Sequence, residues 1–140
     1  METVQTVSFV MLMAGASWWD IHKRIFPDYY VFLLILVAMI SFNPWKLTGI
    51  LAALPFLLTA LWTGGVGGGD IKFVAASGLV LGFGKTCAAV ILGICFLLLF
   101  HGAGTVVRAM QKKEPCQYYP MVPFLAAGNL ILYIYGGSGR

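Results

Sequence analysis

Six apolar runs, near residues 3–19, 29–42, 47–63, 71–84, 86–107 and 119–136, occupy most of this chain and leave few places for a charge. Charged residues make up 10% of it and hydrophobic ones 60%, with a mean hydropathy of +0.89. A soluble domain carries roughly 25% charged residues, so the solvent for most of this chain is lipid. The expected fold is all-α: a polytopic membrane protein with about six transmembrane helices, forming one domain over residues 1–140. Several runs fall short of the ~20 residues that a perpendicular helix needs to cross a ~30 Å core. Short spans imply local bilayer thinning, half-burial, or helix ends that open onto water. Ala14-Gly15-Ala16 resembles a cleavage site, but the segment before it holds Glu2 and no basic residue, so a removable signal peptide is not expected.

The loops carry unequal charge. The first offers His22, Lys23 and Arg24, the third is followed closely by Lys72, and the fifth holds Arg108, Lys112 and Lys113, whereas the second and fourth offer only Lys46 and Lys85. By the positive-inside rule the odd loops are cytoplasmic and both termini lie outside. The net charge of +4 is thus scattered between apolar runs, a pattern suited to anionic headgroups and topology and not to nucleic acid. Trp18, Trp19, Trp45, Trp62, Tyr29, Tyr30, Tyr118 and Tyr119 lie near span ends, where amphipathic rings anchor at the interface.

Five acidic residues are present, and Asp70 closes the run Gly64-Gly65-Val66-Gly67-Gly68-Gly69-Asp70. Parity puts Asp20, at the end of the first run, on the same face as Asp70, at the start of the fourth. Asp28 and Glu114 share that face, but only Asp20 and Asp70 adjoin apolar helix. Two carboxylates withdrawn from water cannot both ionise cheaply, so they share a proton. The ionised partner can then deprotonate a water while the protonated one polarises a peptide carbonyl, the chemistry of an aspartic protease. Gly67, Gly68 and Gly69 suit the close approach of a substrate backbone, and irregular backbone at membrane depth is tolerated where it lines a wet cavity.

Plainer roles stand beside these. Asp20 could pair with Lys23 or Arg24 on one helix face, and Asp70 could cap the fourth helix. Lys72 would point away from Asp70 on a regular helix, as a charge that holds substrate and tunes the site or as a headgroup anchor. Pro120 and Pro123 could start the last span irregularly near a cavity, or simply occupy its first turn. The glycine run lacks the order of a phosphate-binding loop. His22 and His101 lack the companions a zinc site needs, so no metal is expected. Cys87, Cys95 and Cys116 form no metal or disulfide framework. Ser77 and His101 have the letters of a serine peptidase, but Ala75-Ala76-Ser77-Gly78 lacks the GxSG of rhomboids.

Gly67-Gly68-Gly69-Asp70-Ile71-Lys72-Phe73 resembles the GxGDxK signature of the membrane aspartic peptidases that process type IV prepilins, and Gly78-Leu79-Val80-Leu81-Gly82 matches their spacing of small residues after it. Asp20-Ile21-His22-Lys23-Arg24-Ile25-Phe26-Pro27-Asp28 is similar to that family's other half-site, an Asp followed after six residues by Pro and then Asp or Asn. Pro120-Met121-Val122-Pro123-Phe124 resembles the segment that opens its last span. The resemblance implies an endopeptidase, without cofactor, that removes the basic leader of prepilins or pseudopilins after a Gly. It would act at the cytoplasmic face of the bacterial inner membrane. Asp20 and Asp70 map onto the catalytic pair, with Gly67, Gly68, Gly69, Lys72, Pro120 and Pro123 shaping the site or holding substrate. The likeness is to the short form, without the N-terminal cysteine-containing region, in which methyltransferase activity is not expected. The first motif reads Ile25-Phe26-Pro27-Asp28 where many short members have Ile-Pro-Asn.

Two rivals remain. One is a small ion- or proton-coupled transporter or assembly factor using the same acids; transporters favour acids near the midplane and repeated halves, and neither is found here. The other is a related GxGD peptidase that cuts helices within the membrane, against which the Pro27-Asp28 and Pro120-x-x-Pro123-Phe124 elements weigh.

Overall fold

The computed structural model describes residues 2–23, 27–64, 67–114 and 119–136. Arg24, Ile25, Phe26, Gly65, Val66, Cys116 and Tyr118, named above, lie outside the described residues.

The described chain is helical: α1 (Glu2–Lys23), α2 (Asp28–Ile40), a 3-10 helix (Pro44–Ala53) running directly into α3 (Leu54–Thr63), α4 (Gly68–Leu81), α5 (Phe83–Met110) and α6 (Val122–Tyr135). Each apolar run became one helical segment, the third split between 3-10 and α geometry. Two segments are long and apolar enough to cross a membrane, Pro44–Thr63 and Phe83–Met110. At about 1.5 Å per residue α5 measures about 42 Å, whereas α2, α4 and α6 measure only about 20 Å each.

The ends of these helices follow from local chemistry. Asn43 opens the 3-10 helix, its side chain accepting from the Trp45 N–H at 3.1 Å, with Pro44 behind it where a missing N–H costs nothing. α3 stops at Gly64, which takes the left-handed φ of 63° that a glycine tolerates. Gly82 alone separates α4 from α5, at φ 83°, and its carbonyl accepts from both the N–H and the hydroxyl of Thr86, at 3.0 and 2.7 Å. Thr59 and Thr63 donate to the Pro55 and Thr59 carbonyls one turn back, so neither hydroxyl needs a partner from outside α3.

α4 is the central helix. It packs on the 3-10 helix, α2, α5 and α6, and buries Phe73, Val74, Ala76, Ser77, Gly78, Val80 and Leu81. Against the 3-10 helix the two backbones touch: a Cβ on Gly78 would overlap the Gly49 carbonyl, and one on Gly49 would overlap that of Gly78. α5 and α6 meet similarly, with Gly128 against the Ala89 carbonyl and Gly93 against Phe124 and Leu125. α1 packs on α6 through Phe9 and Tyr133, ring centroids 4.9 Å apart, and on α2 through Gln5, whose amide donates to the Val37 carbonyl at 3.2 Å.

The outer faces are apolar. Phe32, Met39, Leu58, Leu61, Ile91, Leu98 and Leu99 are all exposed, so α2, α3 and α5 each present apolar side chains outward. Such area is untenable in water and expected in lipid, so the bundle is membrane-embedded.

Candidate active site

α1 and α4 make no direct helix-to-helix approach among the described residues, yet both pack on α2 and α6. The end of α1 and the starts of α2, α4 and α6 gather at one end of the bundle, and four motif residues meet there. The parity argument from the loops expected Asp20 and Asp70 on one face, and the geometry agrees.

Asp20, in the last turn of α1, is only 8% exposed. Its Oδ2 accepts from the backbone N–H of Val122 at 3.2 Å, a contact spanning 102 positions of sequence. Val122 is the first residue of α6, where N–H groups have no partner inside the helix. Pro123 follows it with no N–H to offer. Asp20 therefore does for α6 what a capping side chain does, but from another helix. The pairing with Lys23 considered above is not what holds Asp20, because the Lys23 ammonium lies over the Trp19 ring, 5.0 Å from its centroid.

Asp70 sits half-buried in the first turn of α4, and it is near enough to Asp20 for the two charges to repel one another. Asp20 and Asp70 thus stand at the same end of the bundle, on helices that each pack against α2 and α6. The turn behind Asp70 is shaped by Gly67, which precedes α4 with extended backbone and no side-chain cap. A Cβ on Gly67 would come within 3.3 Å of Asp70 Oδ2, tighter than ordinary contact, while one on Gly68 would meet nothing. Gly67 therefore clears room for the carboxylate, whereas Gly68 borders open space.

Lys72 does not approach Asp70. Its Nζ pairs with Asp28 Oδ1 at 2.7 Å, joining the start of α2 to α4. Pro120 and Pro123 are both half-buried, Pro120 just before α6 and Pro123 in its first turn. His22 donates from Nδ1 to the Trp18 carbonyl at 3.0 Å and stacks on that indole, and His101 meets Tyr119 edge-on at 5.1 Å. Ser77 is fully buried and donates to the Val74 carbonyl at 3.1 Å, a core hydroxyl with no path to substrate.

Sequence reasoning missed two participants. The Val122 N–H is a backbone group, and its only trace is the pair of prolines around it. Asp28 was set aside because it follows Pro27 and not an apolar run, though its fixed place in the first motif was a signal.

Residues 7–103 match the family model of the type IV leader peptidases, a stretch that takes in Asp20, Asp28, Asp70 and Lys72. The chain is also 33% identical, over 147 aligned residues, to the prepilin leader peptidase/N-methyltransferase of Bacillus subtilis (strain 168). That alignment covers 99% of this chain and 58% of the relative, so the chain spans little more than half the relative's length. No solved structure matches it. With the family match extending over more than half of the residues and enclosing both carboxylates, this chain belongs to the type IV leader peptidase family.

Proposed function

We propose that the chain is a membrane-embedded aspartic endopeptidase that removes the leader of prepilin-like or pseudopilin substrates at the cytoplasmic face of the bacterial inner membrane. The observation that carries this reading is that Asp20, in the last turn of α1, and Asp70, in the first turn of α4, lie at one end of the bundle on helices that share α2 and α6 as neighbours. Family membership and the name of the Bacillus relative support it.

In this reading the two carboxylates share one proton, because two negative charges close together and partly withdrawn from solvent cannot both be stabilised. The ionised carboxylate takes a proton from water, whose oxygen adds to the scissile carbonyl, and the other carboxylic acid protonates the carbonyl oxygen. Collapse of the resulting diol breaks the C–N bond, with the proton taken from water passing to the departing amine and a diol hydroxyl returning its proton to the carboxylate that had protonated the carbonyl oxygen. The Val122 N–H holds the Asp20 carboxylate in place through this cycle. In this reading the extended leader junction is held beside Asp20 and Asp70, and the apolar helix that follows it in the substrate would lie in lipid beside the bundle.

Purified protein mixed in detergent with a prepilin-type substrate, its leader ending in Gly, should release the leader, read as a mass loss. Intact substrate under conditions where the Bacillus relative cleaves would sink the proposal. The same assay separates the glycines. Gly67→Ala should lower kcat roughly tenfold, by shifting the Asp70 carboxylate a few tenths of an ångström. Gly68→Ala should stay within about twofold of wild type, since its Cβ meets nothing and an exposed helical Ala is favourable. Equal losses in both variants would mean that substrate, and not Asp70, is what the glycines accommodate.

A further inference from the structure

The mechanism above uses neither Asp28 nor Lys72, yet they form an ion pair of 2.7 Å between the start of α2 and the start of α4. Each lies in one of the two motif segments that also carry the carboxylates, eight residues after Asp20 and two after Asp70.

The first turn of α4 has little to hold it. Gly67 precedes it without a side-chain cap, and Gly68 and Gly69 add no side chain that could pack. Phe73 and Val74, both fully buried, fix the helix axis from the second turn onward, while within the first turn Ile71 is only partly buried against the core and the Asp70 N–H donates to the Gly67 carbonyl at 3.0 Å. Lys72 follows Asp70 by about 200° of helical rotation, so a pull on Lys72 toward α2 turns Asp70 to the opposite side. Asp28 is a firm anchor for that pull. It is the first residue of α2, where the helix dipole favours a carboxylate, and the turn before it is closed by the Tyr30 N–H on the Pro27 carbonyl at 3.1 Å.

We propose that the Asp28–Lys72 pair is a positioning device for Asp70, holding the glycine-rich first turn of α4 at the rotation that faces its carboxylate toward Asp20. For its kinetic readout this rests on the peptidase reading above. The pair's side chains are 77% and 53% exposed, and an ion pair so wet adds little to global stability. A displacement of about 1 Å at a catalytic group, by contrast, costs rate on the order of 10²-fold.

Two measurements test it, one independent of activity. With Cys87, Cys95 and Cys116 replaced by Ser, Asp20→Cys and Asp70→Cys together provide a thiol pair for a short bis-maleimide. Lys72→Met or Asp28→Ala in that background should lower the cross-linking yield several-fold, and an unchanged yield overturns the proposal whether or not the chain is a peptidase. In the native background each of the two substitutions should lower kcat about tenfold, with KM within about twofold and the unfolding temperature unmoved. The double variant should fall no further than either single, and Lys72→Arg should restore most of the rate. A rise in KM at constant kcat would make the pair a substrate contact, and multiplying losses would make the residues independent. Either result overturns the positioning role.

Discussion

Asp20→Asn and Asp70→Asn should each lower leader cleavage by about 10³-fold or more while leaving the bundle folded. Asn is the informative replacement because it keeps the size of Asp and an oxygen that accepts. At position 20 that oxygen can still take the Val122 N–H, so the start of α6 keeps its partner and only the ionisable group is lost. At position 70 the amide oxygen can occupy the space cleared by Gly67. Either substitution replaces a partly buried ionisable group by a neutral one of the same size, so the unfolding temperature should hold or rise slightly. Neither Asp28 nor Glu114 can take over, since Asp28 is held by Lys72, and Glu114 lies past the end of α5 with its backbone carbonyl accepting from Arg108. Cleavage at the wild-type rate by either variant, measured in detergent against the same substrate, would remove that residue from the dyad. Loss of cleavage together with loss of the folded protein would show that Asp20 matters as the cap of α6 instead.

What could be read from the sequence was whatever local chemistry decides. The apolar runs became the helices because burial from water is decided residue by residue, and most boundaries moved only where a cap or turn intervened. The third run starts at Pro44 and not at 47 because Asn43 opens it; the fifth starts at Phe83 because Gly82 can turn the chain in one residue; the last starts at Val122, later than the run, behind Pro120. Asp20 and Asp70 come to one end because two helical segments, α2 and the 3-10 helix with α3, lie between α1 and α4. What parity could not supply is the lateral arrangement. That α2 lies against α4, so that Asp28 reaches Lys72, depends on how helices pack, and helix order along the chain does not encode it. The Val122 N–H was hidden for a different reason: any residue type at that position other than proline offers the same donor.

Gly78 shows the same gap between motif and packing, and it should carry the largest stability effect in the chain. Its spacing from Asp70 was legible as a pattern, but its partner Gly49 lies inside another apolar run with nothing to mark it. The two carbonyls sit against each other's Cα, so a methyl group at either position has no rotamer to escape into and the backbones themselves must separate. Overpacking that side chains can absorb costs about 1–3 kcal/mol. A backbone collision should exceed that, so Gly78→Ala is expected to lose more than ~3 kcal/mol and, at this chain length, about 10 °C in unfolding temperature. Gly84→Ala is the matched control, since its Cβ meets nothing, and it should stay within about 2 °C. Gly49→Ala should match Gly78→Ala, and the double variant should lose less than the sum, because the first methyl already forces the helices apart. An unfolding temperature for Gly78→Ala equal to that of Gly84→Ala would mean that α4 and the 3-10 helix do not meet through these carbonyls. The effect should be severe because lipid offers no compensation. Between helices whose other faces already contact hydrocarbon, close packing and polar contacts hold the pair, and parting the backbones gives up those contacts with no gain in apolar burial.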